Sequence, residues 1–161
     1  TIGPVVNRTQ WDKIQALIKK GIDEGATLVA GGPGLPEGVN KGFYVRPTVF
    51  ADVTNEMTIA REEIFGPVIT IIGAKDEAEA VKIANDTPYG LMAGIWTRDG
   101  GRQLRLAKAV RAGQIYVNGF GAGGGIELPF GGVKRSGHGR EKGFEALREF
   151  TVAKTVILNH G

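Results

Sequence analysis

The sequence contains no cysteine among its 161 residues. Disulfides, thiolate metal sites and a thiolate nucleophile are therefore excluded within this chain, and the same absence points to an intracellular, cytoplasmic protein. Histidine is nearly as scarce. Only His138 and His160 occur, so no zinc site is expected, and His138 reads as a surface or hydrogen-bonded loop residue. Serine appears once, as Ser136 beside Gly137, which suits a tight turn better than an activated hydroxyl. No G-x-S-x-G elbow, S-x-x-K or H-E-x-x-H pattern is present. No apolar run approaches the roughly 18 residues of a membrane span, and no basic–apolar–small leader opens the chain. No membrane partner is expected.

What is abundant is glycine, at 26 residues. It is not arranged as a repeat but punctuates periodic segments, as an α/β protein with many tight connections requires. The formal charge of +3 is mild for this length and reads as ordinary solubility. The basic cluster Lys134, Arg135, Arg140 and Lys142 is interrupted by Glu141 and Glu145, with Phe144 the only aromatic nearby, so no nucleic-acid partner is expected. The length suits one ordinary domain with a real core, and no linker divides it.

Apolar residues at Trp11, Ile14, Leu17, Ile18 and Ile22 predict a first helix, with Thr9 as its cap, Asp12 as a weak capping-box partner and Gly25 as its stop. Residues 27–30 read as a strand and 31–42 as a loop. Short extended pieces at 43–45 and 48–50 flank Pro47, which belongs at an edge or bend. Residues 68–72 read as a buried strand, 75–85 as an amphipathic helix, 91–96 as a strand, 99–110 as a helix capped by Asp99, and 114–118 as a strand. That alternation predicts a parallel sheet with crossover helices. A glycine-rich loop, a helix over 140–148 and a strand over 151–158 close the chain. The last strand reads either as an edge within its own domain or as an edge that pairs with another subunit.

Two stretches carry chemistry. In Arg61-Glu62-Glu63-Ile64-Phe65-Gly66-Pro67-Val68, adjacent carboxylates on extended chain face opposite ways, while Glu63 and Phe65 share a face. A carboxylate beside an aromatic ring suits a sugar diol next to a flat heterocycle. The competing reading has Glu63 satisfied by Arg61 or Arg46 and Phe65 in the core. The second stretch runs from Pro129 to Glu141, where Pro129 fixes the approach and Phe130 can wall an apolar pocket. Residues 119–124 literally match G-x-G-x-x-G, but extended Glu127-Leu128-Pro129 follows where a dinucleotide site needs a helix; a loop over a pocket fits better.

Gly3-Pro4-Val5, Glu62-Glu63-Ile64-Phe65-Gly66-Pro67, Asn85-Asp86-Thr87-Pro88-Tyr89-Gly90-Leu91, Val117-Asn118-Gly119 and Pro129-Phe130-Gly131-Gly132-Val133-Lys134-x-Ser136-Gly137 together resemble the aldehyde dehydrogenase superfamily, in family order. The resemblance covers nearly the whole chain and matches the C-terminal third of that family's subunit. It implies an α/β, parallel-sheet, Rossmann-like catalytic domain, incomplete, over residues 1–148, and a C-terminal oligomerisation strand and tail over 149–161. It implies an oxidoreductase that uses NAD or NADP to oxidise an aldehyde to a carboxylic acid through a cysteine thioester, as a homo-oligomer, dimer or tetramer, joined through the C-terminal strand. By the same resemblance Glu63 would bind the nicotinamide ribose, Phe65 would pack near the nicotinamide ring, and Phe130 would wall the aldehyde tunnel. Residues 119–128 would form its variable rim, where Phe120 is the only bulky ring. The family's nucleophile, general base, oxyanion-hole asparagine and cofactor glycine turn lie upstream, so Glu62, Glu63 and Asn118 take none of those roles. This chain alone is expected to be inactive. The rival expectation is a non-catalytic assembly or binding module derived from such an enzyme.

Overall fold

The computed structural model describes residues 2–121 and 125–161. The elements run α1 (Arg8–Asp23), β1 (Thr27–Ala30), β2 (Thr48–Ala51), α2 (Thr58–Arg61), β3 (Val68–Thr70), α3 (Glu77–Asn85), β4 (Met92–Ile95), α4 (Gly100–Ala109), β5 (Gln114–Val117) and α5 (Gly143–Glu149). The expected α/β alternation with parallel pairing is present. The undivided domain is not: the chain forms two compact units, Thr1–Ile83 and Ala84–Gly161, and the division falls inside α3.

In the first unit α1 starts two residues earlier than its apolar spacing suggested. Asn7, not Thr9, is the N-cap, and its side-chain oxygen accepts from the Gln10 amide at 2.9 Å. Asp12 then falls one turn after Arg8 and accepts from its guanidinium at 2.9 Å, so no capping box forms. The buried face of α1 carries Ile14 and Ile18, both 0% exposed. They pack with Phe50, Val45, Val53, Ile59 and Ile64 into one core. Phe50 comes from β2, the central strand of a three-stranded sheet ordered β1-β2-β3. β2 pairs antiparallel with β1 and parallel with β3, in register Thr48↔Val68. Pro47 lies just outside that ladder, where its missing N–H costs nothing. Residues 43–45 form no strand, although the Phe43 carbonyl accepts from the Val5 amide at 2.9 Å.

Two further expectations for this unit need correction. Residues 68–72 are not a buried strand. β3 stops at Thr70 and lies at the sheet edge, with Ile69 and Ile71 exposed. β3 also pairs in parallel back onto β2, an extended piece that the strand–helix–strand alternation had left out of the parallel sheet.

In the second unit β4 and β5 pair in parallel, in register Met92↔Gln114, with α4 as their crossover. Asp99 caps α4 as anticipated, accepting from the Arg102 amide at 2.9 Å. α5 begins at Gly143 and not at 140. Lys142 and Gly143 both have positive φ, 62° and 63°, and Glu141 is engaged in a bridge with Phe130, so the helix cannot extend backwards. Residues 151–158 form no strand and are exposed throughout. Their β-branched residues supply propensity, but a strand also needs a ladder partner. The Thr151 amide reaches only back to the Arg148 carbonyl at 3.3 Å.

Candidate functional site

The turn that carries Glu63 and Phe65 is built from α1 outward. Ile64, between them, is 8% exposed and joins the core beside Ile14. Gly66 follows, and a Cβ there would sit 2.7 Å from the Ile14 side chain, so only glycine permits this approach. Two polar side chains of α1 hold the backbone on either side of the anchor. Lys13 Nζ donates to the Glu63 carbonyl at 3.0 Å, and Gln10 Nε2 donates to the Ile64 carbonyl at 3.3 Å. The Pro67 carbonyl then accepts from the Thr48 amide at 2.9 Å, which delivers the chain into β3. With Ile64 pinned inward, both Glu63 and Phe65 are left on the surface, Phe65 at 74% exposure.

The expected extended backbone is not what produces this. Phe65 has φ 60°, in the left-handed region, so the strand alternation argument fails at that residue. The reading that buries Phe65 in the core is also excluded by its exposure. Glu62 is exposed as well, at the C-cap of α2, so the two carboxylates are not split between solvent and interior.

The start of α2 is held by Glu24, the C-cap residue of α1. One carboxylate oxygen accepts from the Thr58 amide at 2.7 Å and the other from the Thr58 hydroxyl at 2.6 Å. The Thr58 hydroxyl is the main cause of a Glu24 pKa below its ordinary value; partial burial opposes the shift, and the Thr58 amide and Lys20 reinforce it. Asp99 is lowered too, first by the Arg102 amide and then by the charge of Arg105. Depressed carboxylates add stability above the unfolded-state pKa and lose it as pH falls through the folded value. The thermal unfolding midpoint should therefore fall on acidification below the ordinary carboxylate range; a midpoint unchanged between neutral pH and pH about 3 would contradict this.

In the second unit two sequence motifs form one object. Lys134 Nζ donates to the Asn85 and Thr87 carbonyls at 2.9 and 3.1 Å. The Arg135 amide reaches the Pro88 carbonyl and the Val133 amide reaches Gly90. The Ser136 hydroxyl accepts from the Gly90 amide at 3.0 Å, which fits a turn-forming serine. Gly113 packs its α-carbon against the Gly131 carbonyl so closely that a Cβ would collide with it.

Phe130 is half-buried, and its amide and carbonyl pair with those of Glu141. It lines a cleft of about 350 Å³ with Leu91, Ser136, Arg140, Glu149 and Phe150. Arg140 closes the turn beneath it, with one guanidinium nitrogen donating to the carbonyls of Gly132, His138 and Gly139. His138 is exposed. Phe120 is 83% exposed. Asn118 clamps the end of β4, accepting from the Thr97 amide and donating to the Thr97 carbonyl, each at 2.9 Å. Of the rim loop, residues 122–124 lie outside the described residues, and so does much of the G-x-G-x-x-G match; no helix opens at Gly125. Among the described residues no group of three acidic or histidine side chains has a metal-holding arrangement, and no helix is long and apolar enough to cross a membrane.

Lys13, Gln10 and Glu24 escaped the sequence reading. The usable signal for Gln10 and Lys13 was their place on α1, three apart and so on one helix face, but attention to apolar periodicity passes over polar positions; Glu24, the C-cap residue, gave no such signal.

Comparison with known proteins follows the same outline. The model of the aldehyde dehydrogenase family matches residues 1–156. Betaine aldehyde dehydrogenase of Brucella anthropi is 48% identical over 162 residues, covering 99% of this chain and 33% of that protein. The crystal structure of an aldehyde dehydrogenase from Bartonella henselae superposes with a TM-score of 0.88 at 55% identity, over 92% of this chain and 31% of that one. A mutant of aldehyde dehydrogenase C from Pseudomonas syringae, solved in complex with NAD+ and octanal, gives a TM-score of 0.87 at 49% identity, over 92% and 30%. The chain spans about a third of the length of the curated relatives it matches.

Proposed function

Because this chain belongs to the aldehyde dehydrogenase family, we propose that it is the C-terminal portion of a cytoplasmic NAD(P)-dependent enzyme that oxidises an aldehyde to a carboxylic acid. Its share of the work is to seat the nicotinamide end of the cofactor and to wall the aldehyde tunnel. The observation that carries this is the anchored turn: Ile64 is locked into the core while Glu63 and Phe65 are held outward by carbonyl ties to Lys13 and Gln10. An exposed carboxylate accepts two hydrogen bonds from a ribose diol, and the exposed ring of Phe65 offers a flat apolar face to the heterocycle. The residues present therefore fit a nicotinamide riboside. NAD is supported by the NAD+ complex of the Pseudomonas syringae relative. NADP is the alternative.

The bound nicotinamide supplies the hydride acceptor. Glu63 orients the ribose, and orientation of this kind lowers the barrier by holding a near-attack geometry. Phe130 and Phe120 exclude water and contact the aldehyde's apolar part. The thiolate that attacks the carbonyl is not in this chain, which has no cysteine. The tail over 149–161 exposes Val152, Val156, Ile157 and Leu158, and we assign it to strand pairing with a second subunit in a dimer or tetramer.

The mass of the source protein tests this reading against that of a stand-alone, non-catalytic module. A subunit about three times the 17.1 kDa of this chain supports the enzyme; one of the chain's own mass supports the module. The purified 161-residue chain should show no NAD-dependent aldehyde oxidation, and turnover by it would overturn the division of labour.

A further inference from the structure

We propose that Glu24 is a positioning residue for the turn over residues 62–65, acting on it through Thr58. The inference rests on the assignment of Glu63 to the cofactor, and its physical basis lies in the fragility of α2. That helix is a single turn of four residues. One isolated turn fixes several dihedrals for one hydrogen bond and has no stability of its own. Its leading amides need outside acceptors, and its N-cap residue, Met57, offers no side-chain oxygen.

Glu24 fills that role from another helix. Its two carboxylate oxygens take the amide and the hydroxyl of Thr58, at 2.7 and 2.6 Å. A negative charge at a helix start also opposes the positive end of the peptide dipoles. Thr58 is then engaged at its other end, because its carbonyl accepts from the Glu62 amide at 2.8 Å. A continuous path runs from Glu24 through Thr58 to Glu62, one residue before Glu63. Lys13 and Gln10 grip the next two carbonyls from the same helix. α1 thus holds the turn at both ends, and Glu24 is the only one of the three grips that binds α2 itself. The same Thr58 hydroxyl and amide contacts hold the Glu24 pKa below its ordinary value.

Amide hydrogen exchange on the 161-residue chain tests the tie. In Glu24→Ala the amides of 60–62, which donate to the Met57 and Thr58 carbonyls, should exchange roughly 2- to 30-fold faster, the range set by loss of a helix cap. Those of α1 around Ile14 and Ile18 should keep their rates. Glu24→Gln, which retains one acceptor oxygen, should restore part of the protection. If Glu24→Ala does not fold, Thr58→Val removes only the hydroxyl and should loosen the same amides. Uniform loosening of the whole unit, or unchanged rates at 60–62, overturns the proposal. A kinetic arm uses the complete subunit. There Glu24→Ala should raise KM for the nicotinamide cofactor more than it lowers kcat, and Glu63→Ala added to it should give less than the product of the two effects. Local loosening with an unchanged cofactor KM would strike the assignment of Glu63 while leaving the tie in place.

Discussion

Phe50→Ala should destabilise the unit Thr1–Ile83 by about 3–5 kcal/mol, the usual cost of emptying a buried aromatic site. Phe50 is 0% exposed and is the largest fully buried side chain described. It projects from β2, which has a neighbour on both edges, so the backbone around it cannot collapse into the space left behind. Its ring also sets how close α1 comes, since a Cβ on Gly21 would lie 3.2 Å from the ring tip. Domains have about 5–15 kcal/mol in total, so a loss of this size brings the unit close to unfolding. Denaturant titration followed by Trp11 fluorescence, with Trp96 changed to Phe, reads this unit selectively. Val6→Ala, in the same unit, is the control. That side chain is 83% exposed, and its truncation should change stability by less than about 0.5 kcal/mol. Equal effects from the two substitutions would refute the placement of the core.

Glu63→Ala in the complete enzyme should weaken productive cofactor placement by about 10- to 150-fold. A carboxylate hydrogen bond contributes about 1.5–3 kcal/mol, and each 1.4 kcal/mol is a factor of ten. The informative comparison is Glu62→Ala. Both carboxylates are exposed and adjacent, so general electrostatics would treat them alike. The proposed geometry does not, because only Glu63 adjoins the anchored Ile64. Steady-state kinetics with varied cofactor should show a large change for Glu63→Ala and a small one for Glu62→Ala. Unchanged turnover and cofactor affinity in Glu63→Ala would end the assignment.

How much of this could be read in advance depends on the range of the interactions involved. α1 was legible because Ile14 and Ile18 recur at helical spacing, and Asp99 because a cap acts within one turn. α2 was not, since its one turn depends on Glu24, 34 positions away. The partner of β3 was equally hidden: local sequence shows that 68–70 is extended but not that it pairs with 48–50. The same gap governs the tail, where Thr151, Val152 and Val156 carry strand propensity but find no ladder partner among the described residues of this chain. At the proposed site, the sequence singled out Glu63 and Phe65 by residue type, and both are exposed. Their mutual geometry was not, because nothing in the residue type announces an aromatic at φ 60°. Such a conformation costs about 1–2 kcal/mol for a side chain with a Cβ, and here the ties to the Glu63 and Ile64 carbonyls and the burial of Ile64 hold it in place.

The interlock between residues 85–90 and 133–136 bears on attempts to redesign the tunnel wall proposed at Phe130. Grafting the stretch that carries Phe130 from one relative into another transplants half of a lock. Lys134 grips the backbone carbonyls of Asn85 and Thr87, and Ser136 the backbone amide of Gly90, so a graft keeps these ties only where the recipient's main chain over 85–90 follows the same course. Chimeras that exchange both stretches together should express and hold their shape, whereas those that exchange one alone should misfold at the cleft before any change in selectivity could be measured.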